Sequence, residues 1–325
     1  MSVQDAVLDI LERNPGTFFS GEMLAKELDV SRNAVWKAVR KLSEAGYAIE
    51  GISGRGYALQ EGSDVLTPAS VVRRLETDFP VRIEVRREVT STNTVLKQEA
   101  ERGAPEGSVL IAESQTAGKG RLGRQFHSPL DTGLYLSILL RPSFSAEQSL
   151  FITTAAAVAV AEAVEDITGH KTQIKWVNDI YLEGRKVCGI LTEANVDFES
   201  GRLNWAVLGI GINIAKPPEG FPEEIKDIAT ALFPDGCSVA VRSSLAAAVI
   251  SRFFTHYERL TEKEFMSEYK RRSFLTGKEV TFTLGNETIH GVVTGISDDA
   301  HLLVKTENGE ERAFSAGEVT LHKEA

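Results

Sequence analysis

Along the first 60 residues, Val3, Val7, Ile10 and Leu11 recur at i, i+4, i+7 and i+8, the stripe of an amphipathic helix that Asn14-Pro15-Gly16 ends. Ser20 is placed to cap a second short helix holding Leu24 and Leu28. Ser31 follows as the cap of a third, predicted from Arg32 to Ala45 and closed by Gly46. On that third helix Val35, Val39 and Leu42 form the apolar stripe, and Asn33, Lys37, Arg40 and Lys41 fall on the other side. Two short strands are predicted around Tyr47-Ile49 and Gly56-Leu59, with Gly51, Gly54 and Gly56 in the connection. Helix, helix, tight turn, helix and glycine-rich hairpin is the order of a winged helix-turn-helix, assigned to residues 1–62.

The pattern breaks at Glu61-Gly62-Ser63-Asp64, read as a linker, and resumes at Thr67-Pro68, a helix start. Residues 66–272 alternate strands and helices. Val81-Val89, Ser108-Ser114 and Leu134-Leu140 read as strands, followed by an Ala-rich buried helix from Glu147 to Ile167. Gln173-Leu182, Val187-Ala194 and Leu203-Ile214 read as three more strands, then Ser243-Arg259 and Glu262-Arg272 as helices. Consecutive strands on short turns predict an antiparallel or mixed sheet, hence an α+β multidomain chain rather than a doubly wound one. Residues 274–323 hold Glu279-Leu284, Thr288-Ile296, Leu302-Thr306 and Glu311-Phe314, four or five short strands that suggest a small barrel.

Composition narrows the function classes. The 325 residues carry 36 Lys+Arg against 46 Asp+Glu, a formal charge of −10, which argues against a wholesale nucleic-acid binder. The segment Ser31–Ala58 departs from that average: Arg32, Lys37, Arg40, Lys41 and Arg55 face only Glu44 and Glu50. With Ser31, Asn33 and Trp36 they make a candidate DNA-binding surface, the third helix entering a groove and Arg55 at the wing tip. Cys188 and Cys237 are far apart and lack ligand spacing, so neither a disulfide framework nor a metal site built on cysteine or histidine is expected. The acidic, amphipathic N-terminus lacks signal-peptide character, and a cytoplasmic location is expected.

Candidate chemistry concentrates in Gln115-Thr-Ala-Gly-Lys-Gly-Arg-Leu-Gly-Arg124. Gly118, Gly120 and Gly123 match a dinucleotide fingerprint literally, but Gln125-Phe-His-Ser-Pro129 follows instead of a helix, and the spacing of a phosphate-binding P-loop is missing. What remains is a glycine loop with three cations, Lys119, Arg121 and Arg124, suited to an anion or simply to solvent. Lys175, in the apolar run Ile174-Lys-Trp-Val-Asn-Asp-Ile180, is either an edge-strand gatekeeper or a charge aimed into a cleft, and Asn178-Asp179 is either a polar bend in a site or a bulge. Gly209 and Gly211 share one face of a strand ending at Asn213, which permits close approach. Ser91-Thr92-Asn93-Thr94 precedes a helix expected near Val95, as caps or as polar ligand contacts.

Together these segments resemble the biotin protein ligases, specifically the bifunctional ligase and biotin-operon repressor type, over essentially the whole chain. The motifs are Ser91-Thr92-Asn93, Gln115 with Gly118-Lys-Gly-Arg-Leu-Gly-Arg124, Lys175-Trp-Val-Asn-Asp179, Gly184-Arg-Lys-Val-Cys-Gly-Ile-Leu191 and Gly211-Ile-Asn213. Val177 replaces the family proline, Lys119 an arginine, and Phe126 stands where an aromatic, usually Trp, follows the loop. The resemblance implies a winged helix, a catalytic domain and a terminal SH3-like β-barrel. It implies that biotin and ATP with Mg²⁺ give biotinyl-5′-AMP, and that a lysine of a biotin carboxyl carrier protein (of acetyl-CoA or pyruvate carboxylase) then takes the biotin, with no prosthetic group. It implies catalytic roles for Lys175 and Arg121. Biotin contacts fall to Ser91, Thr92, Asn93, Gln115, Gly118, Lys119, Gly120, Gly209 and Gly211, with Arg121 and Lys175. Adenylate contacts fall to Lys119, Arg121, Arg124, Phe126, Lys175, Asn178 and Asn213. Operator DNA and a homodimer in the adenylate-bound state are the remaining partners. A lipoate-type ligase, a metabolite-sensing transcription factor and a ligase with a vestigial head are the alternatives. The polar Ser-Thr-Asn cluster, the second cationic site and the basic third helix respectively weigh against them.

Overall fold

The computed structural model describes residues 2–44, 46–60, 65–145, 148–197, 199, 201–235, 241–285 and 287–321. Residues 1–74 with 236–244 form one compact unit, and 75–235 with 245–325 a second.

In the first unit α1 (Val3–Arg13), α2 (Gly21–Glu27) and α3 (Arg32–Glu44) precede the hairpin β1 (Ile49–Ile52) and β2 (Gly56–Leu59), and α4 (Pro68–Val72) follows. The predicted stripes make one core, in which Val7, Leu11, Leu24, Val35, Val39 and Leu42 are buried together. Ser20 Oγ accepts from the Met23 N–H at 3.0 Å and Ser31 Oγ from the Ala34 N–H at 3.2 Å, the two predicted caps. The first strand begins later than expected. Tyr47 is buried instead, its hydroxyl 3.1 Å from Thr67 Oγ1. Gly56, at φ +107, is where a Cβ would meet the Phe19 carbonyl oxygen at 2.0 Å, so the wing closes only around a glycine. Thr67 and Ser70 cap α4 reciprocally with Pro68 in its first turn. Arg73 and Arg74 donate to the Glu12 carboxylate of α1 at 2.7 and 2.9 Å, fastening the chain after α4 to the first helix. The linker read at 61–64 and the helix end at Ala45 lie outside the described residues.

In the second unit β3 (Arg82–Val89), β4 (Ser108–Gln115), β5 (Gly133–Leu140), β6 (Gln173–Lys175), β7 (Asp179–Leu182), β8 (Arg185–Val196) and β9 (Leu203–Asn213) form a sheet of order β3-β4-β5-β9-β8-β7-β6. Only β3 and β4 run parallel, joined by the crossover helix α5 (Thr92–Glu101), so the sheet is mixed as expected. The strand read from Gln173 to Leu182 is two strands. Trp176, Val177 and Asn178 form a turn between β6 and β7, with Lys175 opposite Asp179. The apolar run that suggested one strand is buried, but buried in a turn. Helix α6 (Ser149–Thr168), buried without a break from Phe151 to Ala161, is closed by Gly169 at φ +74; its expected start at Glu147 lies outside the described residues. Helix α7 (Arg242–Glu258) follows. The helix expected from Glu262 is instead a 3-10 turn at Leu260–Glu262, a left-handed Lys263, and α8 (Phe265–Arg272). Five strands complete the unit: β10 (Glu279–Leu284), β11 (Glu287–Ile296), β12 (Leu302–Thr306), β13 (Glu311–Phe314) and β14 (Glu318–Leu321), all antiparallel in the order β13-β12-β11-β10-β14. Phe282 and Phe314 fill this small sheet, with ring centroids 4.1 Å apart. Among the described residues no helix is long and apolar enough to cross a membrane.

Candidate active site

The large sheet carries a cavity of about 860 Å³, polar at one end and cationic at the other. The polar end is built at the start of α5. Ser91 occupies the N-cap position without making a cap bond. The Thr92 N–H and hydroxyl instead both donate to Gln115 Oε1, at 2.9 and 3.2 Å, and Gln115 Nε2 donates to Ser128 Oγ at 2.9 Å. Ser137 Oγ, fully buried on β5, stands 2.7 Å from Thr92 Oγ1 and 2.6 Å from Asn93 Oδ1. Asn93 Nδ2 donates to Leu191 O and to the Glu193 carboxylate, which Lys97 also holds at 2.6 Å. Burial works to raise the Glu193 pKa, but Lys97 and Asn93 bring it below the usual carboxylate value. Buried polar groups with every partner in place hold one geometry and one hydrogen-bonding pattern.

Gly209 and Gly211 explain why the wall comes so close. A Cβ on Gly209 would lie 2.1 Å from Asn93 Oδ1, and one on Gly211 would lie 2.6 Å from the Phe126 ring. The close approach read from the sequence is therefore made by the protein's own side chains as well as open to a ligand.

The basic loop is a small ladder rather than a free coil. The Phe126 N–H donates to Gly118 O at 3.0 Å and the Gly120 N–H to Arg124 O at 2.8 Å, with a 3-10 turn at Arg121–Gly123 as its tip. Gly118 lies outside the cavity lining; its absent side chain leaves room for the Phe126 carbonyl oxygen, which a Cβ would meet at 2.4 Å. Lys119, Gly120, Arg121, Arg124 and Phe126 do face the cavity. Arg121 donates to Asn178 Oδ1 and to Gly317 O, both at 2.9 Å, while Arg124 pairs with Glu318.

Lys175 lies on β6, the sheet's edge strand, and lines the cavity, the placement of the second reading, a charge aimed into a cleft. Among the described residues it has no carboxylate within ion-pair distance, and burial pulls its pKa below the ordinary lysine value, with Asp179 opposing. Asp179 itself pairs with Lys186 at 2.7 Å. The turn behind Lys175 is gripped residue by residue. Trp176 Nε1 donates to Ala300 O at 2.8 Å, Tyr269 Oη to Val177 O at 3.0 Å, and Asn178 Nδ2 to Ile190 O at 2.8 Å. Asn213, nearby on β9, donates to Thr230 O at 3.0 Å.

Sequence reasoning did not assign Lys186, Ser128, Ser137, Glu193 or the Gly317–Glu318 corner, and read Asp179 only as part of a polar bend or bulge. Ser137 carried the same signal as Lys175, one polar residue inside an apolar strand, and Lys186 stood within the quoted Gly184-Arg-Lys run. Cys188 is buried, which pushes its thiol pKa up and leaves it inert; Cys237 lies outside the described residues. The first unit presents the other candidate surface: Ser31, Arg32, Asn33, Trp36, Lys37 and Arg40 are exposed on or at the start of α3. Arg55, also exposed, lies between β1 and β2 with its guanidinium 4.3 Å from the centroid of the Phe18 ring.

Three family models match in succession: an HTH domain over residues 3–58, the biotin/lipoate A/B protein ligase family over 85–213, and the biotin protein ligase C terminal domain over 275–321. Over 314 residues the chain is 32% identical to the bifunctional ligase/repressor BirA of Bacillus subtilis, spanning 95% of this chain and 96% of that protein. The chain belongs to the BirA ligase/repressor family. Its Escherichia coli member is 28% identical over 94% of each chain. Among solved structures, the Aquifex aeolicus biotin protein ligase in complex with biotin and ATP superposes with a TM-score of 0.63 at 32% identity, covering 75% of this chain and 99% of that one. In this BirA-family chain the ligase match spans the cavity's polar end, the basic loop, the Lys175 turn and the glycine strand, and the HTH match spans the exposed α3 surface.

Proposed function

We propose that the second unit activates biotin with ATP and passes it to a lysine of a biotin carboxyl carrier protein, and that the first unit binds operator DNA as a biotin-responsive repressor. The observation that carries the enzymatic half is Lys175, a partly desolvated cation that has, among the described residues, no carboxylate within ion-pair distance, in a cavity whose other end is a polar network. Biotin's carboxylate oxygen attacks the α-phosphorus of ATP, a P–O bond to the β-phosphate breaks, and pyrophosphate leaves. Two anions must meet, so the barrier is electrostatic, and Lys175 with Arg121 and Lys119 supplies preorganised positive charge where it is worth most. The amine of the acceptor lysine then attacks the acyl carbon, AMP departs and the amine loses a proton. No enzyme nucleophile takes part.

Ser91, Thr92, Asn93 and Gln115 are assigned to biotin's ureido head, with Gly209 and Gly211 against its body. Phe126, Arg124, Asn178 and Asn213 are assigned to the adenylate. Magnesium enters as part of the co-substrate, held by phosphate oxygens and water. Domain limits of 1–62, 66–272 and 274–323, a cytoplasmic location and dimerisation on adenylate binding complete the reading. The dimer would set two α3 helices on paired half-sites. Biotin-dependent exchange of labelled pyrophosphate into ATP, followed by transfer to an acceptor domain, tests the enzymatic half. Gel shift with biotin and ATP added singly and together tests the regulatory half: equal binding in every condition removes ligand control.

A further inference from the structure

Trp36, Arg40 and Glu44 stand at i, i+4 and i+8 on α3 and so share one solvent-facing row. The Trp36 side is 48% exposed, while Val35, Ala38 and Val39 beside it are buried in the core. The Arg40 guanidinium lies 5.7 Å from the indole centroid, and its Nε is 2.9 Å from Glu44 Oε1. Arg40 is thus engaged on two sides, by a ring and by a carboxylate that offsets part of its charge. A phosphate approaching it would meet Glu44 as well. Arg32, Asn33 and Lys37 are exposed in the first two turns of α3, the part of a recognition helix that reaches base edges and backbone, and Arg40 is one turn beyond them.

We propose, resting on the DNA-binding reading above, that Trp36 reads a thymine methyl in the major groove, and that Arg40 is a positioning residue for its indole rather than a phosphate contact. The thymine methyl is the one apolar group that the base pairs offer in the major groove, and an exposed indole with a guanidinium 5.7 Å from its centroid is an apolar partner for it whose freedom Arg40 reduces. The basic surroundings bring DNA to this face, and the neutral Trp36–Arg40–Glu44 row adds selectivity without adding charge.

The test uses the full chain and a duplex that the wild-type protein selects from a randomised library, with each dT replaced in turn by deoxyuridine, which lacks only the methyl. Wild type should bind about fourfold more weakly when the critical methyl is missing, the worth of one buried methyl. Trp36→Ala should bind dT and dU duplexes alike at that position. Lys37→Gln should lower the slope of log affinity against log salt by about 0.9 per bound protomer, one phosphate contact each. Arg40→Gln should leave that slope at the wild-type value and shrink the dT/dU ratio. A slope loss in Arg40→Gln matching that of Lys37→Gln overturns the assignment of Arg40, and wild-type indifference to every deoxyuridine overturns that of Trp36. If no duplex is selected at low salt, the DNA-binding reading falls and this proposal with it.

Discussion

On α3, Arg32 and Lys37 stand in water, whereas Lys175 enters a cavity where burial pulls its pKa below the ordinary lysine value. The residue types are the same and the surroundings are opposite. Charge in water acts at long range, is screened by salt and contributes chiefly by releasing counterions from a polyanion. Charge in a desolvated site costs free energy to place, is screened little and acts strongly on whatever charge develops beside it. The scaffolding differs accordingly. The α3 surface needs only a helix with a well-packed inner face, but the Lys175 turn is held by separate bonds from Ala300, Tyr269, Ile190 and Arg121.

The largest expected effect breaks the comparison from the buried side. Lys175→Ala should lower pyrophosphate exchange by about 10²–10³-fold, the range for removing one preorganised group, without loss of thermal stability because a desolvated charge is removed too. Next comes salt. Raising it from about 50 to 200 mM should weaken DNA binding by roughly 40-fold per bound protomer for three phosphate contacts each, while exchange at saturating substrate changes far less. Gly209→Ala forces a methyl onto Asn93 Oδ1 and should cost about 1–3 kcal/mol, read as a biotin KM raised roughly tenfold with a smaller change in kcat. Smallest, Tyr269→Phe keeps the buried ring and loses the bond to Val177 O, about 1 kcal/mol. Its thermal midpoint should fall slightly and its exchange kcat a few-fold, with the biotin KM unchanged.

Most of the first unit was legible because its signals are local. Ser20, Ser31 and Thr67 each cap a helix within three residues, and the apolar stripes need only one helical period. The strands of the sheet were legible for the same reason, and the site's motifs pointed to one cavity. The turn at Trp176–Asn178 was legible only in part: Asn178-Asp179 offered a polar bend or a bulge, but a buried turn flanked by short strands has the same apolar run as one long strand. Ser137 did stand out as one polar residue in an apolar strand, but its pairing with Asn93 did not, and Glu193 and Glu318 escaped because Lys97 and Arg124, which they meet, are remote in sequence. No period or spacing in one chain announces such a pairing. Arg40 was placed with the DNA contacts by counting charges, and its bond to Glu44 adds a partner that such a count leaves out.

The desolvated charge of Lys175 is tested most directly by the pH profile of biotin-dependent exchange in wild type and in Lys175→Arg. Burial lowers the folded pKa from the ordinary 10.5, so the proton is lost, and activity with it, as pH rises through a value below 10.5. Arginine stays protonated throughout. The wild-type profile should therefore show an alkaline limb that the arginine variant, at whatever lower rate it retains, does not. Superimposable limbs in the two proteins would contradict the assignment of that charge to the chemistry.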